Sequence, residues 1–187
     1  DSTSDTLASD SELTVLGRGD MIAFSQPEVF TGKYYVSPAG AGSKTGLSVL
    51  SPMAVETFKA MVTDPARIEE FNGKTFSFSA NNFSFGDDYL IFDYPDYQGE
   101  VHIILEGVAS ENVSTVFNGR KSSETNKAGV LWPQHNAYLT VRNVKFSKTD
   151  GKGNSPAIRV ASGGEALTLE NCVFDGNKTG GNAASVA

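Results

Sequence analysis

The sequence predicts an all-β chain whose short strands stack as successive coils, and two observations carry that prediction. AYLTVRNVKFSKT (137–149) and EALTLENCVFDGN (165–177) repeat each other at a single offset of 28 residues: Leu139 meets Leu167, Val141 meets Leu169, Asn143 meets Asn171, Val144 meets Cys172 and Phe146 meets Phe174. A fixed period of this size marks an architecture in which each unit buries its apolar face against the next. Within each copy the apolar residues alternate, Leu-x-Val and then Val-x-Phe, which is the period of a strand. Carried outward, the offset sets Val130 and Trp132 opposite Ile158 and Val160, and Ile158 opposite Val186.

The Asn between the two alternating pairs resets the phase. With Leu139 and Val141 inward, an uninterrupted strand would point Asn143 inward and Val144 outward. Asn tolerates the left-handed backbone region, so it can turn the chain and return Val144 and Phe146 to the interior. Stacked Asn143 and Asn171 are then placed to pass an amide hydrogen bond along the axis. Each coil is expected to hold three short parallel strands joined by turns.

These segments resemble the right-handed parallel β-helix, or pectate-lyase-like, proteins. FDGN (174–177) followed by GGNA (180–183) is similar to the F-x-x-N and G-G-A signature of polymorphic outer-membrane and autotransporter-type surface proteins. The first copy departs from it, because Phe146 is followed by Ser147, Lys148 and Thr149 with no Asn, and GGNA carries an Asn before the Ala. The resemblance covers residues 33–187. It implies a right-handed parallel β-helix of three-strand coils on an exported or cell-surface protein.

In chain order, residues 1–32 form an N-terminal arm with short strands at ELTVL (12–16) and MIAF (21–24). Residues 1–12 are polar and acidic, a composition that does not build a core. Arg18-Gly19-Asp20 matches the integrin-recognition tripeptide, but a plain glycine turn accounts for it. KYYVSPAGAGSKTG (33–46) resembles the Y-V-S-P-x-G segment that leads such domains into their first coil, and its glycines lack the spacing of a phosphate cradle. Ser51 and Pro52 read as N-cap and first residue of a helix, with Ala54, Phe58, Met61 and Val62 as its apolar stripe and Asp64-Pro65 as its end. Such a helix would cap the open end of the first coil.

From Asn72-Gly73 onward, Phe76/Phe78, Phe83/Phe85, Tyr89 to Phe92 and Val101 to Leu105 read as earlier, less regular coils, with Gly107 in the place of the bend Asn. TVFNGR (115–120) closes one coil, and KSSETN (121–126) reads as a surface loop.

Composition narrows function. The 187 residues suit one domain with a core, and 15 Lys and Arg against 22 Asp and Glu give a net charge of −7, which argues against a nucleic-acid partner. Twelve Phe and six Tyr favour strands. The single cysteine, Cys172, takes an inward position and reads as a small apolar residue, and one cysteine permits no disulfide within the chain. No apolar run approaches the roughly eighteen residues of a membrane span.

The dense polar stretch is FGDDYLIFDYPDYQGE (85–100). Asp87, Asp88, Asp93, Asp96 and Glu100 offer hard oxygen ligands for calcium, and Asp93, Tyr94, Asp96 and Tyr97 suit a sugar, whose rings stack on tyrosine faces. Asp175-x-Asn177-x-Thr179 copies half a calcium loop, but Val186 stands where a bidentate Glu is needed, so it reads as a turn. His102 and His135 are the only histidines, and no nucleophile elbow is present. Enzymes of the resembled fold work on the outer face of the first strand in each coil, where Leu131 and Arg159 stand here. Arg159, with His135 near it by register, is therefore the catalytic candidate. Three sequons begin at Asn82, Asn112 and Asn177.

The preferred functional expectation is an extracellular or cell-surface module, adhesive or structural, that contacts glycans. It needs no cofactor other than candidate calcium. The alternative is a fragment of a polysaccharide lyase or glycoside hydrolase of the pectate-lyase-like fold. The sequence further leads us to expect that the stack continues beyond Ala187 in a longer parent, and that its open C-terminal coil self-associates.

Overall fold

Parallel pairing is what the alternating segments produce. The computed structural model describes residues 29–125, 127–160, 166–181 and 186. The chain divides into two compact units, Asp1–Phe30 and Thr31–Ala187, and the account below concerns the second. The strands expected at 12–16 and 21–24, the Arg18-Gly19-Asp20 tripeptide and the Asn-Ala pair closing GGNA lie outside the described residues.

The unit opens with β1 (Lys33–Ser37) and the short β2 (Met53–Ala54), then α1 (Val55–Val62), a 3-10 turn at Pro65–Arg67 and α2 (Ile68–Phe71). The strands that follow are β3 (Lys74–Phe78), β4 (Asn82–Ser84), β5 (Leu90–Phe92), β6 (Val101–Glu106), β7 (Thr115–Asn118) and β8 (Lys121–Thr125). After them come β9 (Leu131–Pro133), β10 (Ala137–Arg142), β11 (Val144–Ser147), β12 (Asp150–Lys152), β13 (Ala166–Glu170), β14 (Val173–Asp175) and β15 (Lys178–Thr179). They assemble into sheets of order β13-β10-β6-β3-β1-β2, β14-β11-β7-β4, β15-β12-β8 and β5-β9, all paired in parallel. Parallel bridges extend the last from Leu131 to Ile158 and from Ile158 to Val186.

The 28-residue register is observed in β10 and β13, where Leu139 faces Leu167 and Val141 faces Leu169, and in β11 and β14, where Phe146 faces Phe174. The bend residues behave as their chemistry dictates: Asn143 and Asn171 have φ of 54° and 49°. Leu139, Val141, Val144 and Phe146 are buried, while Leu167, Leu169, Cys172 and Phe174 are half-buried. Phe83, Phe117, Phe146 and Phe174 share one row across the four-stranded sheet. Phe117 and Phe146 meet edge to face with centroids 5.8 Å apart, and Phe146 and Phe174 stack at 5.0 Å. Such contacts add about 0.5–1.5 kcal/mol each beyond the burial itself.

Four departures from the sequence reading have local causes. The helix begins at Val55 after an extended Ala54, without a side-chain cap, because Met53 is buried and pairs with Val36 of β1. Its Phe58 meets Phe76 and Phe78 edge to face at 4.8 and 5.1 Å, so the helix lies against the interior residues of β3. Residues 121–125 form β8 rather than a loop, and with β12 and β15 they add a pairing line, giving four lines where three were expected. Leu131, not Val130, pairs with Ile158: the N–H groups of Val130 and Leu131 both donate to Ala157 O, at 2.8 and 3.2 Å, which inserts one residue as a bulge and buries Leu131.

Gly107 makes the fourth. It falls in register with Asn143, yet its φ is not left-handed. A Cβ there would stand 2.2 Å from Asn143 O and 2.7 Å from Thr115 Cβ, so glycine serves close approach. The turn itself is replaced by the longer loop 107–114, tied down by the buried Thr115, whose Oγ1 accepts from Val108 N–H and donates to Ser79 O, both at 3.0 Å.

Candidate binding surface

Polar and aromatic side chains converge where the chain leaves β5 for β6 and leaves β9 for β10. Tyr94 anchors this corner from inside. Its hydroxyl donates to Val62 O at 2.5 Å and its ring tilts against Phe71 at 5.9 Å. Burial pushes its pKa up, and the neighbouring Asp93 carboxylate adds to the rise. Tyr94, expected on a sugar-stacking surface, is therefore a core residue.

Asn136 clamps the loop from the next strand line. In the left-handed region at φ 62°, it donates through Nδ2 to Tyr94 O at 2.9 Å and Tyr97 O at 3.1 Å. Asn72, just after α2, works from the other side: its Oδ1 accepts from His102 N–H at 2.9 Å and its Nδ2 donates to Glu100 O at 3.2 Å. The half-buried Tyr97 ring is held between helix and loop, its hydroxyl 3.3 Å from Glu69 Oε1. His102 Nε2 pairs with Glu100 Oε2 at 2.9 Å, and the His102 ring lies 5.0 Å from that of Tyr138. Beside the loop, His135 Nδ1 pairs with Asp93 Oδ1 at 2.8 Å.

The five carboxylates expected at a calcium site are dispersed by this geometry. The strand β5 separates Asp87 and Asp88 from Asp93, Asp96 and Glu100, and most have partners of their own. Asp87 lies 3.6 Å from Arg120, Asp88 accepts from Tyr89 N–H at 2.8 Å and lies 3.6 Å from Lys127, and Asp93 and Glu100 hold the two histidines. Asp96 is exposed. Among the described residues no three His, Cys, Asp or Glu side chains come together as a cation would require.

Arg159 and His135 have separate environments. The Arg159 guanidinium sits 4.4 Å over the Trp132 ring, a cation–π arrangement, while His135 is held by Asp93. The outward residues of this strand line are Ile91, Trp132 and Arg159, so the face carries no paired carboxylates. Tyr89 closes its edge, buried with its hydroxyl donating to Pro156 O at 2.8 Å and its ring 5.7 Å from Trp132. Burial pushes the Tyr89 pKa up to about 12.

Comparison with family models, with curated proteins and with solved structures finds no match. The surface is therefore read from its own chemistry. Tyr97 and Glu100 belong to the stretch that the sequence singles out, whereas Glu69, Asn72, Asn136 and Tyr138 come from other elements and enter only through folding. Their one sequence signal is the Asn136 position just before a strand, where a left-handed residue turns the chain.

Proposed function

We propose that this chain is a right-handed parallel β-helix module of an exported, surface-displayed protein, capped by α1, and that it contacts glycans through the corner around Tyr97, Glu100, His102 and Tyr138. The repeated order in which the chain visits the parallel sheets supports the helical stack: β6, β7 and β8, one in each of three sheets, are followed in the same order by β10, β11 and β12 and by β13, β14 and β15. The observation that carries the glycan reading is that exposed Glu69, Glu100 and His102 present hydrogen-bonding groups beside the half-buried rings of Tyr97 and Tyr138. Sugars are recognised by this combination, with ring C–H faces on aromatics and hydroxyls on carboxylates and amides.

A glycan array run with the wild type, Tyr138→Ala and Glu100→Gln tests it. Binding that both substitutions weaken is expected. A parallel assay for reducing ends and unsaturated products on polysaccharides addresses the enzymatic alternative, which the Asp93–His135 pair keeps chemically reasonable as an acid–base couple. Turnover abolished by His135→Ala would replace the adhesive reading with a lyase or hydrolase. Array binding indifferent to both substitutions would remove the corner from consideration.

A further inference from the structure

A second surface lies away from that corner, where the four-stranded sheet hands over to the three-stranded one. Three consecutive levels turn there in register, with Gly119, Lys148 and Gly176 in one row and Lys121, Asp150 and Lys178 in another. Together with Arg120 they line a concavity of about 400 Å³. On a chain of net charge −7, this patch gathers four cations against one carboxylate.

Lys121, Lys148 and Lys178 are exposed and, among the described residues, form no ion pair. Asp150 stands between Lys121 and Lys178 in the strand register without closing on either. Arg120 is already engaged, its Nε donating to Lys127 O at 2.7 Å and its Nη1 lying 3.6 Å from Asp87. Lys148 occupies the left-handed region at φ 64°, where the levels on either side carry glycine, so a cation sits at a position whose backbone favours a residue without a side chain. Gly176 leaves open space on one side of its stem.

We propose that this concavity binds a sulfated polysaccharide. Ammonium groups are point charges that approach from separate directions, which suits the three oxygens of a sulfate ester; a planar carboxylate is better served by a free arginine fork, and here the one arginine is occupied. Adjacent parallel strands lie about 4.8 Å apart, so Lys121 and Lys178, two levels apart, are separated by about 10 Å along the axis. That spacing suits charges on successive repeats of an extended polymer rather than a single small anion.

The test uses dextran sulfate, with neutral dextran, polygalacturonate and a single-stranded oligonucleotide as separate arms. Dextran sulfate is expected to bind the wild type, to weaken steeply with added salt, and to bind Lys148→Gly about fivefold less tightly, the effect of losing one charge contact. Lys148→Gly restores the residue type found on both neighbouring levels and relieves the left-handed backbone, so loss of binding in it does not arise from unfolding. Lys44→Gly, made at another left-handed lysine with φ 58°, should bind as wild type. The double variant Lys121→Gln/Lys178→Gln should lose binding further. Equal affinity of Lys148→Gly and wild type, or tighter binding of polygalacturonate, neutral dextran or the oligonucleotide than of dextran sulfate, would overturn the proposal. A glycan-array signal at the Tyr138 corner that survives Lys148→Gly would show the two surfaces to be separate.

Discussion

Asn171 donates through Nδ2 to the Oδ1 of Asn143 at 2.8 Å, and both residues lie in the left-handed region. Side chain and backbone thus serve different purposes at the same position: the backbone turns the chain, and the amides link one level to the next. Asn143→Gly keeps the turn and loses only the amide link, whereas Asn143→Ala loses the amide link and keeps the turn at a cost of about 1–2 kcal/mol of left-handed strain. Urea denaturation should therefore rank stability as wild type, then Gly, then Ala. An Ala variant as stable as the Gly variant would refute this division of roles.

Phe146 and Phe174 are stacked neighbours in one row but differ in burial. Phe146→Ala removes a fully buried ring and should cost about 3–5 kcal/mol. Phe174, half-buried on the outermost described level, should cost clearly less when truncated. Equal losses in chemical denaturation would mean that Phe174 is as enclosed in solution as Phe146.

Tyr89 and Tyr94 make stability fall at high pH. A tyrosine whose folded pKa is raised binds its proton more tightly folded than unfolded. Its contribution is fully present below the ordinary value of 10.0 and is lost as the pH climbs through the folded value, about 12 for Tyr89. Tyr94 is raised in the same direction by burial. Unfolding monitored between pH 10 and 12 should show declining stability, with tyrosinate absorbance from these two residues appearing at higher pH than that of an ordinary tyrosine. Smooth ionisation of all six tyrosines in the folded state would contradict it.

Gly107→Ala should destabilise by about 1–3 kcal/mol, because the added Cβ meets the backbone oxygen of Asn143, which cannot swing aside. Its φ plays no part, so the effect should come with displaced amide signals at Asn143 and Thr115 in an NMR comparison. A neutral substitution would mean that loop 107–114 is free to shift.

The sequence by itself determined the all-β class, the 28-residue register of β10 with β13 and of β11 with β14, the two bend asparagines and the inward row of Phe146 and Phe174, because period-two burial and left-handed tolerance are properties of short segments. It also held the equivalence of Thr149 with Asn177, which lie 28 apart; the fold turns this into contact, Asn177 Oδ1 accepting from Thr149 N–H at 3.2 Å and its Nδ2 donating to Phe146 O at 3.0 Å.

Only the tertiary structure decided what depends on contacts between distant segments. Met53 leaves the helix because a neighbouring strand pairs with it and buries it, against the local cap signal of Ser51 and Pro52. KSSET becomes a strand because β12 offers it parallel partners, although its exposed polar residues carry no periodic signal. The longer loop 107–114 makes the spacing from His102 to Tyr138 differ from the regular repeat, so no fixed offset could have brought them together at the corner. The acidic stretch 85–100 looked like one cluster in sequence, but a three-residue strand runs through its middle and sends its carboxylates to different partners. Proximity along the chain is a local property; convergence is set by how the strands stack.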